Sequence, residues 1–249
     1  MAKLFVISDV HGFYDEMIYA LEQAGFDPNN DEHFLISCGD ELDRGRKPQE
    51  VIDYLMSLQR KIIVKGNHTT LLEDMLVRKY AKSHDLSNGT MQTVLDLAPN
   101  AKDTDAACSV VYHKTKDLIS CMVNYFETEN YIFVHSFVPL KCNDNLPKYY
   151  IKNRKFEKDP DWRNAHESAW EEARWGNPFE LAEKGLLPDK TLVFGHFHTS
   201  WPRHKYEGEP EFGDGADFSV YYGDGYIALD SCVAYSGKLN CLVLEDEFI

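Results

Sequence analysis

Five short segments of this chain carry Asp, Asn or His directly after an apolar run. They are Asp9-Val10-His11, Gly39-Asp40-Glu41-Leu42-Asp43-Arg44-Gly45, Gly66-Asn67-His68, His135 and Gly195-His196-Phe197-His198. Carboxylate, amide and imidazole groups are ligands that divalent transition-metal ions take from proteins. A pair of such ions about 3.5–4 Å apart holds both the attacking and the leaving oxygen of a phosphoryl displacement. The five segments together predict a dinuclear metal centre.

Asp40 is the expected bridging ligand, because it follows a predicted strand and Gly39 places it near the apex of a loop. Asp9 and His11 lie two residues apart on a predicted extended loop, so both side chains can face one ion. The ligands expected for the other ion are Asn67, His135 and His196. A two-ion centre requires this kind of bridging carboxylate, together with ligands from separate loops.

The elements around these segments repeat as strand, loop and helix. Apolar runs predict buried strands, and those before the first three segments cover residues 3–8, 34–37 and 61–65. Helical spacing of apolar residues follows each strand, at residues 13–24, 51–58 and 71–76. Further strands are expected just before His135 and Gly195. This order predicts an α/β fold whose ligands lie at the carboxyl ends of parallel strands.

Two long segments, 82–130 and 139–188, carry no ligand motif. We interpret them as insertions or cap segments near the site, within a single domain that spans residues 1–249. The tryptophans of the second segment are interpreted as cap core rather than as a substrate platform. Residues 226–229 and 239–244 are predicted to be antiparallel closing strands.

The composition limits the classes of partner. The net charge is −15, with 41 acidic against 26 basic residues, which disfavours a nucleic acid or an anionic membrane as partner. A small anionic substrate remains compatible, because bound metal ions dominate the local field. The six cysteines form no Cys-x-x-Cys pair, so reduced thiols in a cytoplasmic protein are expected. The apolar run at residues 4–7 is too short for a signal peptide or a membrane span. Nothing in the sequence indicates an oligomeric state.

In this order, the five segments resemble the calcineurin-like metallophosphoesterase superfamily. Residues 39–45 have the form Gly-Asp-x-x-Asp-Arg-Gly, which is similar to the branch of bacterial and phage Ser/Thr protein phosphatases. Residues 227–232 are similar to the closing strands of that branch and of related diadenosine tetraphosphatases. The resemblance covers residues 3–246. It implies the metallo-dependent phosphatase fold, with two β-sheets flanked by helices in an α/β/β/α sandwich and helical insertions near the site.

The resemblance also implies roles for residues beside the ligands. His68 and Asp43 match a dyad in which the histidine protonates the leaving oxygen and the aspartate keeps it charged. Arg44 is expected to bind phosphate and stabilise the transferring group, and a surface ion pair is its alternative role. A second phosphate-binding arginine is expected at Arg174, with Arg203 as the alternative.

Three further positions follow from the family pattern or depart from it. Thr69 replaces the acid of the family's Gly-Asn-His-Glu, which removes a carboxylate that would orient its neighbours. His198 is typical of the wider superfamily and is a further expected metal ligand, with a surface or supporting histidine as the alternative. Asn67 is expected to contact the substrate as well as the metal.

These features predict a metal-dependent phosphatase that hydrolyses phosphomonoesters by direct attack of a metal-bound hydroxide. By resemblance, the expected substrate is a phosphorylated Ser/Thr protein or a small phosphoester. The alternative is a dinucleoside polyphosphate hydrolase, whose motif usually has Ala where this chain has Asp43. A non-catalytic phosphate-binding module would be expected to lack a ligand, and none is missing. The expected cofactor is two divalent ions, Mn²⁺ first, with Fe, Zn²⁺, Ni²⁺ or Co²⁺ as alternatives.

Overall fold

A computed structural model describes residues 2–142 and 155–247 of the chain. The first sheet contains three strands from the N-terminal part of the chain and one from the C-terminal part. Strand β1 (Ala2–Ile7) pairs in parallel with β2 (His33–Ser37), which pairs in parallel with β3 (Lys61–Ile63). Strand β11 (Leu242–Asp246) lies on the other side of β1 in antiparallel orientation. The last four residues of β1 are buried, because both faces of this sheet are covered.

Helices from the N-terminal half cover one face of this sheet. They are α1 (Tyr14–Ala24), α2 (Pro48–Ser57), α3 (Asn67–Arg78), α4 (Ser83–Asn88), α5 (Thr90–Leu97) and α6 (Thr104–Ser120). All except α4 contribute buried side chains to one apolar cluster, which also contains Phe5, Ile7 and Leu35 of the strands. The three predicted strand–helix units are therefore confirmed. Their helices lie against the sheet because each presents an apolar stripe to it.

The second sheet has the strand order β4-β5-β8-β10-β9. These strands are β4 (Phe126–Glu127), β5 (Tyr131–Phe133), β8 (Thr191–Phe194), β9 (Tyr221–Gly223) and β10 (Tyr226–Ala228). The three central strands run parallel, and both edge strands run antiparallel to them.

Smaller elements cover the outer face of the second sheet. They are the hairpin of β6 (Leu140–Cys142) and β7 (Phe156–Lys158), then α7 (Glu167–Ala173) and α8 (Pro178–Glu183). Two short helices, α9 (Ser200–Pro202) and α10 (Val233–Ser236), lie in the connections near the C-terminus. Trp162 and Trp170 are buried against this sheet, as the sequence predicted for the cap core.

The inner faces of the two sheets pack against each other. Leu4, Val6 and Ile36 of the first sheet meet apolar side chains of the second sheet, including Phe133 and Val193. Helices lie outside both sheets, which gives the predicted α/β/β/α sandwich. The parallel strands β1, β2, β5 and β8 are each followed by a predicted ligand segment. The fold therefore delivers these segments from both sheets.

The two predicted closing strands do not pair with each other, so this part of the prediction was wrong. Strand β10 lies between β8 and β9 in the second sheet, and β11 pairs with β1 in the first. The side chain of Asn240 donates hydrogen bonds to the carbonyl oxygens of Phe218 and Leu229, which holds the crossover between the sheets. Apolar runs specify that a strand is buried, but they do not specify its partner.

The two predicted insertions contain regular elements. Segment 82–130 holds α4, α5, α6 and β4, and segment 139–188 holds β6, β7, α7 and α8. Residues 143–154 of the second segment lie outside the described residues. The interpretation as one domain with two insertions stays a prediction. Among the described residues, no helix has the length and apolar character needed to cross a bilayer.

Candidate active site

Most of the predicted ligands lie together where the parallel strands of both sheets end. Among the described residues, eight non-glycine residues have a positive φ, and six of them are predicted site residues. These six are Asp9, His11, Asp40, Asp43, Arg44 and His196. Such backbone conformations are costly and concentrate at functional sites. We call the set of Asp9, His11, Asp40, Asn67, His135 and His196 the candidate metal centre.

Asp40 lies in the middle of the centre. Its Oδ2 is 3.9 Å from Nε2 of His11, 3.9 Å from Nε2 of His68 and 3.3 Å from Nε2 of His135. Two groups of ligand atoms share this carboxylate, one with His11 and His68 and one with His135 and His196, and each group lies within 4.8 Å. The two groups therefore meet at Asp40, and its role as a bridging ligand stays a prediction.

Asn67 and Asp9 connect the two sheets within the centre. The Oδ1 of Asn67 lies 2.7 Å from Nε2 of His135 and 3.0 Å from Nδ1 of His196. The Oδ2 of Asp9 accepts a hydrogen bond from the backbone N–H of His196 at 2.9 Å. The Oδ1 of Asp9 lies 4.0 Å from Nε2 of His11. Ligands from β1, β3, β5 and β8 are therefore held in direct contact.

Backbone carbonyls fix the ring orientation of the three ligand histidines. Nδ1 of His11 donates to the carbonyl oxygen of Leu42 at 2.9 Å, and Nδ1 of His135 donates to that of Cys38 at 2.8 Å. The imidazole of His196 donates to the backbone carbonyl of Trp175. A metal-binding histidine is held in this way, because the nitrogen opposite the carbonyl is left to face the ion.

The buried groups of the candidate metal centre shift one another's pKa values. Burial and the neighbouring Asp230 carboxylate raise the pKa of Asp9 well above its usual value. Burial opposes the charge of His135, but Asp40 outweighs it and raises the pKa of His135 to about 9. Burial also opposes the charge of Asp40, and the histidines around it overcome that effect and hold its pKa well below the usual range. Buried carboxylates this close need positive charge among them, and the donor set suits divalent ions.

Burial lowers the pKa of the two other ligand histidines. The pKa of His196 falls to about 3, first through burial and then through the charge of His135. The pKa of His11 also falls well below its usual value, through burial and the adjacent Arg44. Both imidazoles are therefore neutral near pH 7, which is the form that binds metal.

Two glycines are required by the close approach of backbone to ligand. A Cβ on Gly66 would overlap the carboxylate of Asp40, and a Cβ on Gly195 would overlap Ser8 and the carboxylate of Asp9. Gly66 also precedes α3, whose first-turn N–H at His68 donates to Asp40 Oδ1 at 3.0 Å. The positive end of α3 thus stabilises the central carboxylate.

His68 and Asp43 form the predicted pair beside the centre. Nδ1 of His68 donates to Oδ2 of Asp43 at 2.8 Å, and both side chains are buried. Two threonines of α5 that sequence reasoning missed hold the aspartate. The hydroxyl of Thr90 donates to Asp43 Oδ2 at 2.7 Å, and the hydroxyl of Thr93 accepts from the Asp43 backbone N–H at 3.0 Å. No local sequence signal links them to Asp43, since about fifty residues separate the partners.

Arg44 contacts one histidine of the candidate metal centre and the histidine of the His68–Asp43 pair. Its Nη1 donates to Nε2 of His11 at 2.9 Å, and its Nη2 donates to Nε2 of His68 at 3.2 Å. Its side chain is otherwise exposed. The guanidinium therefore lies at the exposed edge of the site.

Two predicted residues make their hydrogen bonds and ion pairs elsewhere. The Nη2 of Arg174 bonds to Asn124 and Glu167, and its Nε and Nη1 are buried with no partner among the described residues. His198 contacts Ser200 Oγ at 2.9 Å and Glu211 at 3.5 Å, and it belongs to neither group of close ligand atoms. Phosphate binding by Arg174 and metal binding by His198 stay predictions. The alternative arginine, Arg203, bonds to Asp217 and Ser219.

Asp230 is a buried carboxylate of the site that sequence reasoning missed. It follows β10, it is 8% exposed, and its Oδ1 accepts from the backbone N–H of Cys232 at 2.7 Å. Its pKa is raised by burial, and its charge acts on Asp9. The signal was present, because Asp230 lies two residues after a parallel strand, as Asp9 does.

A family model of the calcineurin-like phosphoesterases matches residues 2–213. The chain belongs to this family. The phosphoesterases of this family use divalent metals, in agreement with the donor set at the strand ends.

Curated relatives match the phosphoesterase over short stretches. The symmetrical bis(5'-nucleosyl)-tetraphosphatase of Klebsiella pneumoniae strain 342 is 45% identical over 65 residues, which are 26% of this chain and 22% of the relative. The enzyme of the same description from Buchnera aphidicola is 33% identical over 94 residues, 33% of each chain. The matches thus span a third or less of these relatives' length.

Solved structures share the fold over nearly the whole phosphoesterase. One, described as a candidate diadenosine tetraphosphatase, has a TM-score of 0.50 at 15% identity and covers 98% of this chain and 93% of its own. The cold-active protein-tyrosine phosphatase of a psychrophilic Shewanella species has a TM-score of 0.50 at 14% identity, covering 98% and 76%. At these identities the likeness concerns the fold alone.

Proposed function

We propose that this phosphoesterase hydrolyses phosphomonoesters at two divalent ions held by the candidate metal centre, with Mn²⁺ as the first candidate. Asp40 would bridge the ions, and Asp9 with His11 would hold one of them. The proposed ligands of the other are Asn67, His135 and His196. When bound, the ions lower the pKa of a water molecule toward neutrality and neutralise charge on the phosphate.

The contact between His68 and Asp43 supports a monoester as the substrate. A monoester with an alcohol leaving group needs a proton on the departing oxygen, and a phosphate leaving group needs it much less. Nδ1 of His68 is held by Asp43 at 2.8 Å, so Nε2 would carry and give that proton once Arg44, which donates to Nε2 here, turns to the phosphate. The buried carboxylate of Asp43 fixes the orientation of the ring, and Nε2 lies 3.9 Å from Oδ2 of Asp40 in the candidate metal centre.

Arg44 is proposed to bind the phosphate of the substrate. Its guanidinium donates one hydrogen bond to His11 and one to His68. It therefore reaches from the candidate metal centre to the proposed general acid, His68. With the lone pair of His11 committed to an ion, Arg44 would direct its donors to phosphate oxygens. A planar pair of donors matches two such oxygens and stabilises charge on the transferring group.

Hydrolysis of a dinucleoside polyphosphate is the second candidate function. Its support is the 45% identity over 65 residues to a symmetrical bis(5'-nucleosyl)-tetraphosphatase. A non-catalytic phosphate-binding module is less well supported, because every ligand of the candidate metal centre is present and the ligand atoms converge on Asp40.

A hydrolysis assay with added Mn²⁺ tests the proposal. Four substrates are compared, namely p-nitrophenyl phosphate, a phosphoserine peptide, AMP and diadenosine tetraphosphate, with a chelator as the control. We expect a higher kcat/KM for at least one monoester than for diadenosine tetraphosphate, and loss of all activity with the chelator. A clear preference for diadenosine tetraphosphate would replace the first candidate by the second. Hydrolysis that persists with the chelator would contradict a metal-dependent reaction.

A further inference from the structure

An apolar cavity of about 520 Å³ lies beside the candidate metal centre, between α7, α8 and the β6–β7 hairpin. The side chains that line it are mostly apolar, and they include Phe137, Val138, Leu140, Phe156, Trp175 and Leu181. Among the described residues that line it, the charged ones are Glu171 and Glu172. The proposed hydrolysis uses none of these side chains.

One wall of the cavity is bonded directly to the metal centre. The backbone carbonyl of Trp175 accepts a hydrogen bond from the His196 imidazole, and the two ring centroids lie 6.4 Å apart at 86°. The hydroxyl of Ser136, next to the ligand His135, donates to the carbonyl oxygen of Gly176 at 2.7 Å. A group attached to a phosphate at the centre is therefore within reach of the cavity.

The size of the cavity and its aromatic wall fit a nucleoside. A cavity of roughly 150 Å³ already holds a benzene ring. The cavity here has about 520 Å³, so a single phenyl ring would leave most of it empty. Trp175 is 44% exposed, whereas Trp162 and Trp170 are 4% and 2% exposed. An exposed indole on a cavity wall offers a face for stacking on a base, which corrects the interpretation of Trp175 as cap core.

The negative charge of the cavity wall favours an uncharged ring that carries hydrogen-bond donors. The carboxylate of Glu171 repels phosphate, which favours binding of the phosphate at the metal centre rather than in the cavity. Carboxylates accept hydrogen bonds from the exocyclic amino groups of bases. We propose that the apolar cavity binds the nucleobase of a phosphoester whose phosphate is bound at the metal centre. This rests on the proposed phosphoesterase function and names its substrate class as a nucleotide.

The test compares AMP with glycerol phosphate, which has no ring, in two cavity variants. Trp175→Ala removes the stacking face, and Ala169→Leu fills the cavity from α7. We expect the ratio of kcat/KM for AMP over glycerol phosphate to fall about tenfold in both variants, mainly through KM. The matched control is Tyr222→Ala, which removes an aromatic side chain that is 65% exposed elsewhere on the surface and should keep the wild-type ratio.

A binding measurement separates this proposal from the proposed function. Adenosine carries no phosphate, and calorimetry should show that it binds the wild type and binds Trp175→Ala about tenfold more weakly. If phosphoesters are hydrolysed but neither the ratio nor adenosine binding changes, the nucleobase site is refuted and the hydrolase stands. If adenosine binds as expected but no phosphoester is hydrolysed, the hydrolase fails and the nucleobase site stands. The nucleobase site would also be refuted if the cavity variants lowered kcat/KM for phosphotyrosine and left kcat/KM for AMP unchanged.

Discussion

The candidate metal centre and the apolar cavity are neighbours that the sequence encodes in different ways. The centre uses polar residues at fixed positions after parallel strands, and several of them have a positive φ. The cavity uses ordinary apolar residues from several elements, with no motif and with Trp175 shared between the two regions. The spacing of polar residues in the sequence therefore indicates the class of reaction. The class of substrate depends instead on how distant elements pack together. Substitutions in the two regions should therefore affect activity differently.

The largest effect is expected at the shared carboxylate of the centre. Asp40→Asn keeps the size of the side chain but removes the charge that the ligand histidines surround. We expect kcat/KM to fall by about 10³-fold or more for every substrate, because each ion contributes several kcal/mol. The measurement is steady-state kinetics together with the metal content of the purified variant.

A second buried aspartate is the matched control for that variant. Asp85 is fully buried and paired with Arg78, and it is not part of the centre. Asp85→Asn should lower stability but leave the metal content and kcat unchanged. Wild-type turnover in Asp40→Asn, with unchanged metal content, would mean that the centre does not act as described.

His68→Asn should have the next largest effect and should depend on the leaving group. We expect both metals to be retained while kcat falls by about 10²–10⁴-fold for substrates with alcohol leaving groups. The loss should be smaller for p-nitrophenyl phosphate, whose leaving group needs little protonation. Loss of bound metal would make His68 a ligand. An equal loss of kcat for good and poor leaving groups would remove its role as the acid.

A smaller effect is expected at Thr90, whose hydroxyl donates to Asp43 and not to His68 itself. Thr90→Val removes the 2.7 Å hydrogen bond to Asp43 and keeps the shape of the side chain. A lost hydrogen bond of about 1 kcal/mol predicts a fall in kcat of roughly fivefold for alcohol leaving groups. Thr115→Val is the control, because Thr115 is equally buried but bonds within α6. Equal kinetics in the two variants would exclude a positioning role for Thr90.

The smallest effect concerns stability alone, at an ion pair between β4 and the second segment. Arg163 binds Glu127 through Nε at 2.8 Å and Nη2 at 2.7 Å, and its hydrogen bonds lower the pKa of Glu127 to about 2. A carboxyl group whose pKa is lowered by folding stabilises the folded state. For Glu127 this stabilisation is complete above the usual pKa of 4.5 and is lost as the pH falls through about 2.

Glu127→Gln should therefore lower the free energy of unfolding at pH 7, by at most about 1 kcal/mol. The difference from the wild type should shrink as the pH falls below 4.5. Denaturant titrations at pH 7 and pH 3 measure it, and kcat should not change at pH 7. A difference that grows on acidification would show that the pKa of Glu127 is not lowered.

The sequence predicted the parts of this site that local chemistry specifies. Asp9, Asp40 and His135 lie just after strands, as predicted, because an apolar run followed by a polar residue marks the carboxyl end of a buried strand. Their binding of metal stays a prediction. Asp230 obeys the same rule and was missed, because its strand was interpreted as a closing strand with a purely structural role. The pairing of β11 was also wrong, since no local pattern records which sheet a strand joins.

Long-range packing explains what local patterns did not reveal. Thr90 meets Asp43 only because α5 folds across the loop that follows β2. The exposure of Trp175 depends on how α7 and α8 pack against the second sheet, and its neighbour Trp170 of the same type is buried. Residues of identical type thus have different roles that only the fold distinguishes.

The most direct test of the central claim is a crystal structure with Mn²⁺ and an anomalous difference map. We expect two peaks about 3.5–4 Å apart, both in contact with the carboxylate of Asp40. Nitrogen and oxygen ligands from Asp9, His11, Asn67, His135 and His196 should lie about 2.0–2.2 Å from an ion. A single ion, or two ions that do not share Asp40, would contradict the dinuclear centre.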